Sequence, residues 1–486
     1  MTGHRLTRRI DDVLRLDPAA PALEYERQWF SWRQLDSMAD RIATLVGDGC
    51  PQVGIMLRNR PPHVAALLGV LRRGATIVVI NPARGDERTS ADVDRLALPL
   101  IVGEPDDLAL LGTQHTTTTI SIPDLLSTPT LTAAQHEHEA AVRPAIAVRM
   151  LTSGTTGPPK RVDLSYDMLA HSVLGPADQA SAPTSVRRGV AIVNSPLVHI
   201  GGVFRILQCV AEARPFVLLE RFELHRWAEA VRTHRPRAVS LVPTALRMVL
   251  HADLPRDDLS SIRAVTSGTA PLSPDDSDAF TDKYGIPVLT SYAATEFGGG
   301  VAGWTLADHQ QYWLAKRGSV GRANPGARLR VVDDDGVPLG PDAVGLLEVK
   351  PAQLGPTADW MRTTDLARID ADGFLWIVGR ADQAIIRGGF KVMPDDVRAA
   401  LESHPAVAGA AVVGRPDRRL GETPVAMVEL RGPETTNAAD IADYLRHHLA
   451  RYEIPSDIAV VSEIPRTPSG KPDLDEVRRH FQAAVD

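Results

Sequence analysis

The chain has 486 residues, 44% hydrophobic and 23% charged, with a formal net charge of −7. Its length exceeds one ordinary core and predicts two or more domains, while the composition is that of a globular protein rather than a disordered or fibrous one. The acidic balance argues against a nucleic-acid partner, whose phosphates demand a basic face. Cys50 and Cys209 are too few for a disulfide scaffold or a cysteine-built zinc site. They read as small buried hydrophobes in a reducing cytoplasm. The N-terminus MTGHRLTRRI lacks the apolar core of a secretory signal, and no apolar run approaches a transmembrane segment.

In chain order, VGIML from Val53 predicts a strand, Pro61 and Pro62 open a helix, and ATIVVI before Asn81 and Pro82 predicts a second strand, together a βαβ unit. Residues 127–144 are rich in Thr, Ala, His and Glu and read as a connection. Strand and helix patterns then alternate: AIVNS, FVLLE, a helix around Trp227 to Thr233, AVSLV, a helix after Pro243, IRAVTSG, a helix after Ser273, and IPVLTSY. This order implies α/β architecture, a large N-terminal domain of helix-covered, mostly parallel sheets. After Ala327 the turn signals DDDG and DADG mark a β-rich subdomain. Beyond Gly379 come helices near Pro394 to Ser403 and Ala438 to Ala450 and strands AGAAVVG and VAMVEL, enough for a small α+β C-terminal domain. The expected boundary separates 1–380 from 381–486.

Five motifs carry chemistry. LTSGTTGPPK, Leu151 to Lys160, reads as a strand end running into an anion-gripping loop. Thr152, Ser153, Thr155 and Thr156 offer hydroxyls, Gly154 and Gly157 admit close backbone approach, and Lys160 adds charge. It is not the common P-loop, because Pro159 precedes the lysine and Arg161 follows it. In SYAATEFGG, at a strand's carboxyl end, Glu296 offers a hard oxygen for Mg²⁺, Thr295 a hydroxyl for a phosphate, and Tyr292 a ring for a flat base. RTTDLARID places Asp365 where a carboxylate can accept from two ribose hydroxyls. GRADQAIIRGGFKV puts Arg380 and Asp382 at a domain border suited to a hinge. IPRTPSGKPD follows a strand expected to end at Ile464 and presents Lys471 on a Ser469–Gly470 turn. Singly, each motif is equally an ordinary turn, cap or solvated charge.

Jointly, from Asn81 to Lys471, these segments resemble the adenylate-forming superfamily of acyl-CoA synthetases, peptide-synthetase adenylation domains and firefly luciferases. SGTAP at Ser267 to Pro271 and GRPDRRLGETPVAMV from Gly414 fit the same resemblance. It implies that Ser153 to Lys160 grip the β- and γ-phosphates of ATP, and that Ser267, Gly268, Thr269, Ala270 and Tyr292 line the adenine. By the same resemblance Thr295 meets the α-phosphate, Glu296 serves Mg²⁺, and Asp365 and Arg380 hold the ribose. Lys471 serves the reacting carboxylate, and Asp382 is the hinge of a mobile C-terminal domain. Gly388 and Gly389, with Arg387 beside them, would line the coenzyme A path. The implied activity is an ATP-dependent acyl-CoA synthetase in the cytoplasm, with a separate carrier protein as the alternative thiol source and a non-catalytic nucleotide- or acyl-binding relative as a third reading.

His199, in SPLVHIGGV, falls where acyl- and aryl-CoA synthetases of this superfamily carry a histidine beside the acyl tunnel, so it is expected to gate the acid pocket. Ile200 stands near the aspartate that pairs an α-amine in peptide-synthetase domains, which disfavours an amino-acid substrate. Gly201, Gly202 and Val203 are expected to leave room there, and the apolar FRILQCV favours an aliphatic medium- or long-chain acid, as in fatty-acid metabolism, or an aryl acid. The chain runs only a few residues past Lys471, so a thiol acceptor is expected on a separate molecule. Three residues depart from the family pattern. Thr364 stands where glycine is usual, Arg387 where small residues are common, and Pro472 stiffens the lysine's loop. Oligomeric state is open, a homodimer included.

Overall fold

The computed structural model describes residues 3–48, 52–84, 86–111, 117–133, 145–152, 160–175, 181–387, 390–417, 419–432, 436–467 and 470–483. They divide into two compact units, one drawn from 1–153, 159–301 and 351–358, the other from 302–350 and 359–486.

The first unit is built on the expected βαβ logic. Strands Gln52–Met56 and Thr76–Ile80 pair in parallel around helix Pro61–Arg72. Both strands are buried along their whole length, which is why they read as unbroken apolar runs. They centre a seven-stranded sheet ordered Thr130–Thr132, Thr118–Ser121, Leu100–Gly103, Gln52–Met56, Thr76–Ile80, Ile146–Thr152, Lys160–Ser165. The expected connection at 127–144 therefore holds a short edge strand at its start, and 134–144 lies outside the described residues. A second sheet joins Ala191–Val193, Phe216–Leu218, Pro21–Tyr25 and Gln28–Ser31. A third aligns Ala238–Ser240, Ala264–Ser267 and Val288–Ala294 in parallel. Cys209 is buried as expected, and burial pushes its thiol up to about 11; Cys50 lies outside the described residues.

The second unit begins with an antiparallel sheet of Arg328–Val332, Gly345–Lys350, Met361–Ile369 and Leu375–Arg380. Its last sheet pairs Val407–Asp417 with Gly421–Leu430, and the two-residue strand period divides that sheet's faces. Ala410, Val412, Ala426 and Val428 pack with Val397, Leu401, Ile441 and Leu445 of helices Pro394–Glu402 and Ala438–Leu445. Ala411, Val413, Val425 and Met427 pack instead with Val477 and Phe481 of helix Leu474–Ala483. The strand expected to end at Ile464 ends at Val461. Pro465 follows Ile464 and has no N–H to continue a ladder, and the Ile464 N–H goes to the Glu429 carboxylate. Among the described residues no helix is long and apolar enough to cross a membrane.

At the mouth of the first βαβ unit lies a charged network. Arg58 binds the buried Asp107 through two hydrogen bonds of 2.7 and 2.5 Å. Arg60 bridges Glu104 and Glu220, and fully buried His63 bonds Glu104 at 2.9 Å. Tyr25 donates to Glu220, and burial together with that carboxylate pushes its phenol up to about 12. Burial would raise Glu104, but the His63 hydrogen bond and the charges of His63, Arg60 and Arg58 outweigh it and hold the carboxyl below its usual range. A depressed folded-state carboxyl contributes stability above its unfolded value and loses it as pH falls through the folded one. Thermal midpoints measured from neutral pH down to about pH 3, across the carboxylate range, should therefore fall less steeply in Glu104→Gln than in the parent, although the variant starts lower at pH 7. Parallel curves would show that Glu104 contributes no pH-dependent stability.

Candidate active site

Two clusters assemble at strand ends of the first unit. Ala264–Ser267 and Val288–Ala294 are adjacent parallel strands, with Ser267 opposite Thr290, so SGTAP leaves the sheet beside Ser291–Ala294, the carboxyl-terminal residues of the neighbouring strand. Gly268 leans on this neighbour: a Cβ there would stand 2.9 Å from the Ser291 hydroxyl. Thr269 has φ +71°, a left-handed conformation that a β-branched residue adopts only where its surroundings force it. Ser267 Oγ is buried and has no hydrogen-bond partner among the described residues. A hydroxyl in that state is costly unless a ligand completes it. Tyr292 lies 5.9 Å from Phe297, ring centre to ring centre. Half-buried Thr295 and exposed Glu296 form the short turn between them, and the Glu296 carboxylate is outside every described ion pair.

The second cluster surrounds His199, which precedes helix Ile200–Ala211. One turn on, the Phe204 ring comes within 3.8 Å of where a Gly299 Cβ would stand. The same backbone is tied down by Ser172 Oγ donating to the Gly298 carbonyl at 2.7 Å and Gln353 Nε2 donating to the Gly300 carbonyl at 3.0 Å. The structure thus brings the His199 helix to the segment that follows Glu296. The three residues expected to leave room beside His199 do different things. Gly201 faces open space, Val203 is buried in the core, and the space at Gly202 is taken by backbone, the Pro196 carbonyl oxygen lying 2.2 Å from where a Cβ would stand.

The phosphate-loop motif is described only at its legs. Thr152 ends its strand opposite Lys160, which is exposed and begins the next. Ser153, Gly154, Thr155, Thr156 and Gly157 lie outside the described residues. Arg161 secures the second leg, donating to the Val79 carbonyl at 3.0 Å and to buried Asp92 at 2.5 Å.

In the second unit Asp365 and Arg380 are direct cross-strand partners. Arg380 grips both carboxylate oxygens of Asp382, at 2.9 and 2.7 Å, and donates to the Thr364 hydroxyl at 2.6 Å. The residue that stands in place of glycine is therefore a partner of the arginine. Sequence reasoning missed this contact, although residues 364 and 380 both flank the segments it singled out. Arg387 donates to the carbonyls of Tyr452 and Ile454 at 2.8 and 2.9 Å, a staple between its strand and the 452–454 turn. Gly388 and Gly389 lie outside the described residues. Lys471 closes a tight turn in which its carbonyl accepts from the Thr467 N–H at 2.7 Å and from the Thr467 hydroxyl at 3.2 Å. Pro472 forms an antiparallel bridge with Arg466.

The family model for AMP-binding enzymes matches residues 10–356, and that for the AMP-binding enzyme C-terminal domain matches 396–471. The chain is 29% identical to the indoleacetate–CoA ligase of Aromatoleum aromaticum, over 97% of both chains. It is 30% identical to the sulfoacetate–CoA ligase of Cupriavidus necator, over 86% of this chain and 85% of that one. ATP-bound MatB from Rhodopseudomonas palustris superimposes with a TM-score of 0.82 at 25% identity, over 99% of each chain.

Proposed function

Because the chain belongs to the AMP-binding enzyme family of adenylate-forming proteins, we propose that it is an AMP-forming acid–CoA ligase acting on an apolar, preferentially aromatic, carboxylic acid. The observation that carries the reading is the exit of SGTAP beside the carboxyl end of the strand that holds SYAA, with the Ser267 hydroxyl buried at that exit. An adenine seated there would meet the Tyr292 ring and hydrogen-bonding groups. The relatives named above join acids as different as indoleacetate and sulfoacetate to CoA. Choice of acid therefore has to come from each pocket. Here Phe204, Ile200 and the bare Gly201 beside His199 suit a flat apolar acid, whereas a sulfonate would call for a cation.

In the proposed reaction an oxygen of the substrate carboxylate attacks the α-phosphorus of ATP, the bond to the bridging oxygen breaks, and pyrophosphate leaves. The thiol of CoA then attacks the acyl carbonyl, loses its proton, and releases AMP with the former carboxylate oxygen. Asp365 would accept from the ribose hydroxyls and Arg380 would hold the same sugar, while Thr364 and Asp382 fix the arginine's direction. The exposed Glu296 carboxylate, a hard oxygen ligand outside described ion pairs, fits Mg²⁺, which would neutralise phosphate charge. Lys471 would present its ammonium to the carboxylate for the first step only, and rotation of the segment from 381 onward about Asp382 would replace it for the second. CoA is proposed over a carrier protein because the relatives are CoA ligases.

Lys471→Ala should lower acid-dependent pyrophosphate release by about a hundred- to a thousandfold, the range found for positioned electrostatic groups, while thioester formation from supplied acyl-adenylate stays near the parent rate. Equal losses in both half-reactions would contradict the division of labour. Thr364→Val should weaken AMP binding, read by calorimetry, by about three- to tenfold, as expected for a hydrogen bond to a charged group at a partly exposed site. Thr364→Ser, which keeps the acceptor, should bind as the parent does. Unchanged affinity in Thr364→Val would show that Arg380 needs no such support.

A further inference from the structure

Asn59 lies between Arg58 and Arg60, at the exit of strand Gln52–Met56 and ahead of helix Pro61–Arg72. It is 5% exposed and makes no bond to the residues of its own βαβ unit through its side chain. Its carboxamide instead reaches more than a hundred residues along the chain. Nδ2 donates to the carbonyls of Ser195 at 3.0 Å and Leu219 at 3.1 Å, and Oδ1 accepts from the Leu197 N–H at 2.7 Å. Two carbonyls and one N–H fix which way the amide points. The post itself is rigid, since Arg58 is held by Asp107 and Arg60 by Glu104 and Glu220.

What Asn59 holds is the turn that ends at His199. The His199 N–H donates to the Pro196 carbonyl at 3.0 Å, closing Pro196 to His199 into one turn. That same carbonyl lies against Gly202, where a Cβ would stand 2.2 Å from its oxygen, 2.6 Å from its carbon and 2.8 Å from Leu197 N. The turn is thereby held by a carboxamide and packed against a bare Cα. Helix Ile200–Ala211 grows from its end, with the His199 carbonyl accepting from Gly202 and Val203 at 3.0 and 3.3 Å. Movement of this turn carries the imidazole and Phe204 with it.

We propose that Asn59 is a positioning residue for the acid pocket: together with the close packing at Gly202, its carboxamide sets where His199 stands and thereby which acid is accepted. The inference rests on the reading of His199 as a wall of that pocket. Losing the carboxamide leaves the Ser195 carbonyl and the buried Leu197 N–H to re-pair, and the turn moves to do so. A Cβ at Gly202 displaces the same turn without touching the carboxamide. A clamp that serves stability alone would lower the thermal midpoint and leave the ratio of kinetic constants as it was.

Asn59→Ala, Asn59→Asp, Gly202→Ala and His199→Ala are each assayed by pyrophosphate release against a panel of aromatic and aliphatic acids, with KM for ATP and the thermal midpoint measured alongside. Asn59→Ala and Gly202→Ala should raise KM for the parent's preferred acid by about tenfold and reorder the panel, with KM for ATP within about twofold of the parent, the pattern of an effect confined to one substrate. Asn59→Asp retains the acceptor for Leu197 and loses both donations, so it should fall between Asn59→Ala and the parent. If Asn59→Ala yields no folded protein, Asn59→Asp and Gly202→Ala carry the comparison. A panel order unchanged by His199→Ala would overturn the pocket itself. An order changed by His199→Ala but untouched by Asn59→Asp and Gly202→Ala would overturn the clamp alone.

Discussion

A carboxylate and a polyphosphate repel each other, and a site that joins them has to supply positive charge and directed donors before the two can meet. In the proposed reading, the polar groups of the candidate site answer that constraint. The glycine- and hydroxyl-rich segment after Thr152 offers donors without bulk, Lys160 and Lys471 offer ammonium groups, and Arg380 offers a fixed fork. Charge alone would not suffice, because a free arginine or lysine samples many directions. Here carboxylates and a hydroxyl fix the arginines: Asp382 and Thr364 hold Arg380, and Asp92 holds Arg161, next to Lys160 in its strand. The exposed Glu296 carboxylate, by contrast, is left outside such pairs among the described residues.

In the proposed reading, adaptation to a particular acid is handled elsewhere and by different physics. Around His199 the determinants are volume and backbone position: open space at Gly201, the ring of Phe204 against Gly299, and the Pro196 carbonyl packed on Gly202. The relatives this chain resembles are ligases for acids as different as indoleacetate and sulfoacetate. As proposed, the two tasks rest on separate strand ends, one on Ala264–Ser267 and Val288–Ala294, the other after Ala191–Val193.

Much of the fold was legible locally. Val53 to Met56 and Thr76 to Ile80 announced themselves as buried parallel strands because both faces are covered, and Pro61 and Pro62 marked the helix between them. Helix Trp32–Val46 begins at a capping box of Ser31 and Gln34, a signal equally present in the sequence. Strand Thr130–Thr132 was hidden because it is only three residues long and all three are exposed. Candidate site residues at strand ends were visible as motifs, whereas Asn59 was not. Its partners lie at 195, 197 and 219, and only tertiary structure brings them to one carboxamide. The spacing that suggested room at Gly202 failed for the same reason, since the space is filled by backbone from a turn six residues upstream.

The most direct test of the account follows one oxygen atom. With the acid labelled by ¹⁸O in its carboxylate, a complete turnover with ATP and CoA should deliver one labelled oxygen to AMP and none to pyrophosphate, because the attacking oxygen stays on the α-phosphorus when the thiol displaces it. Unlabelled AMP, or label appearing in inorganic phosphate beside ADP, would contradict attack at the α-phosphorus and with it the assignment of every residue placed around that atom.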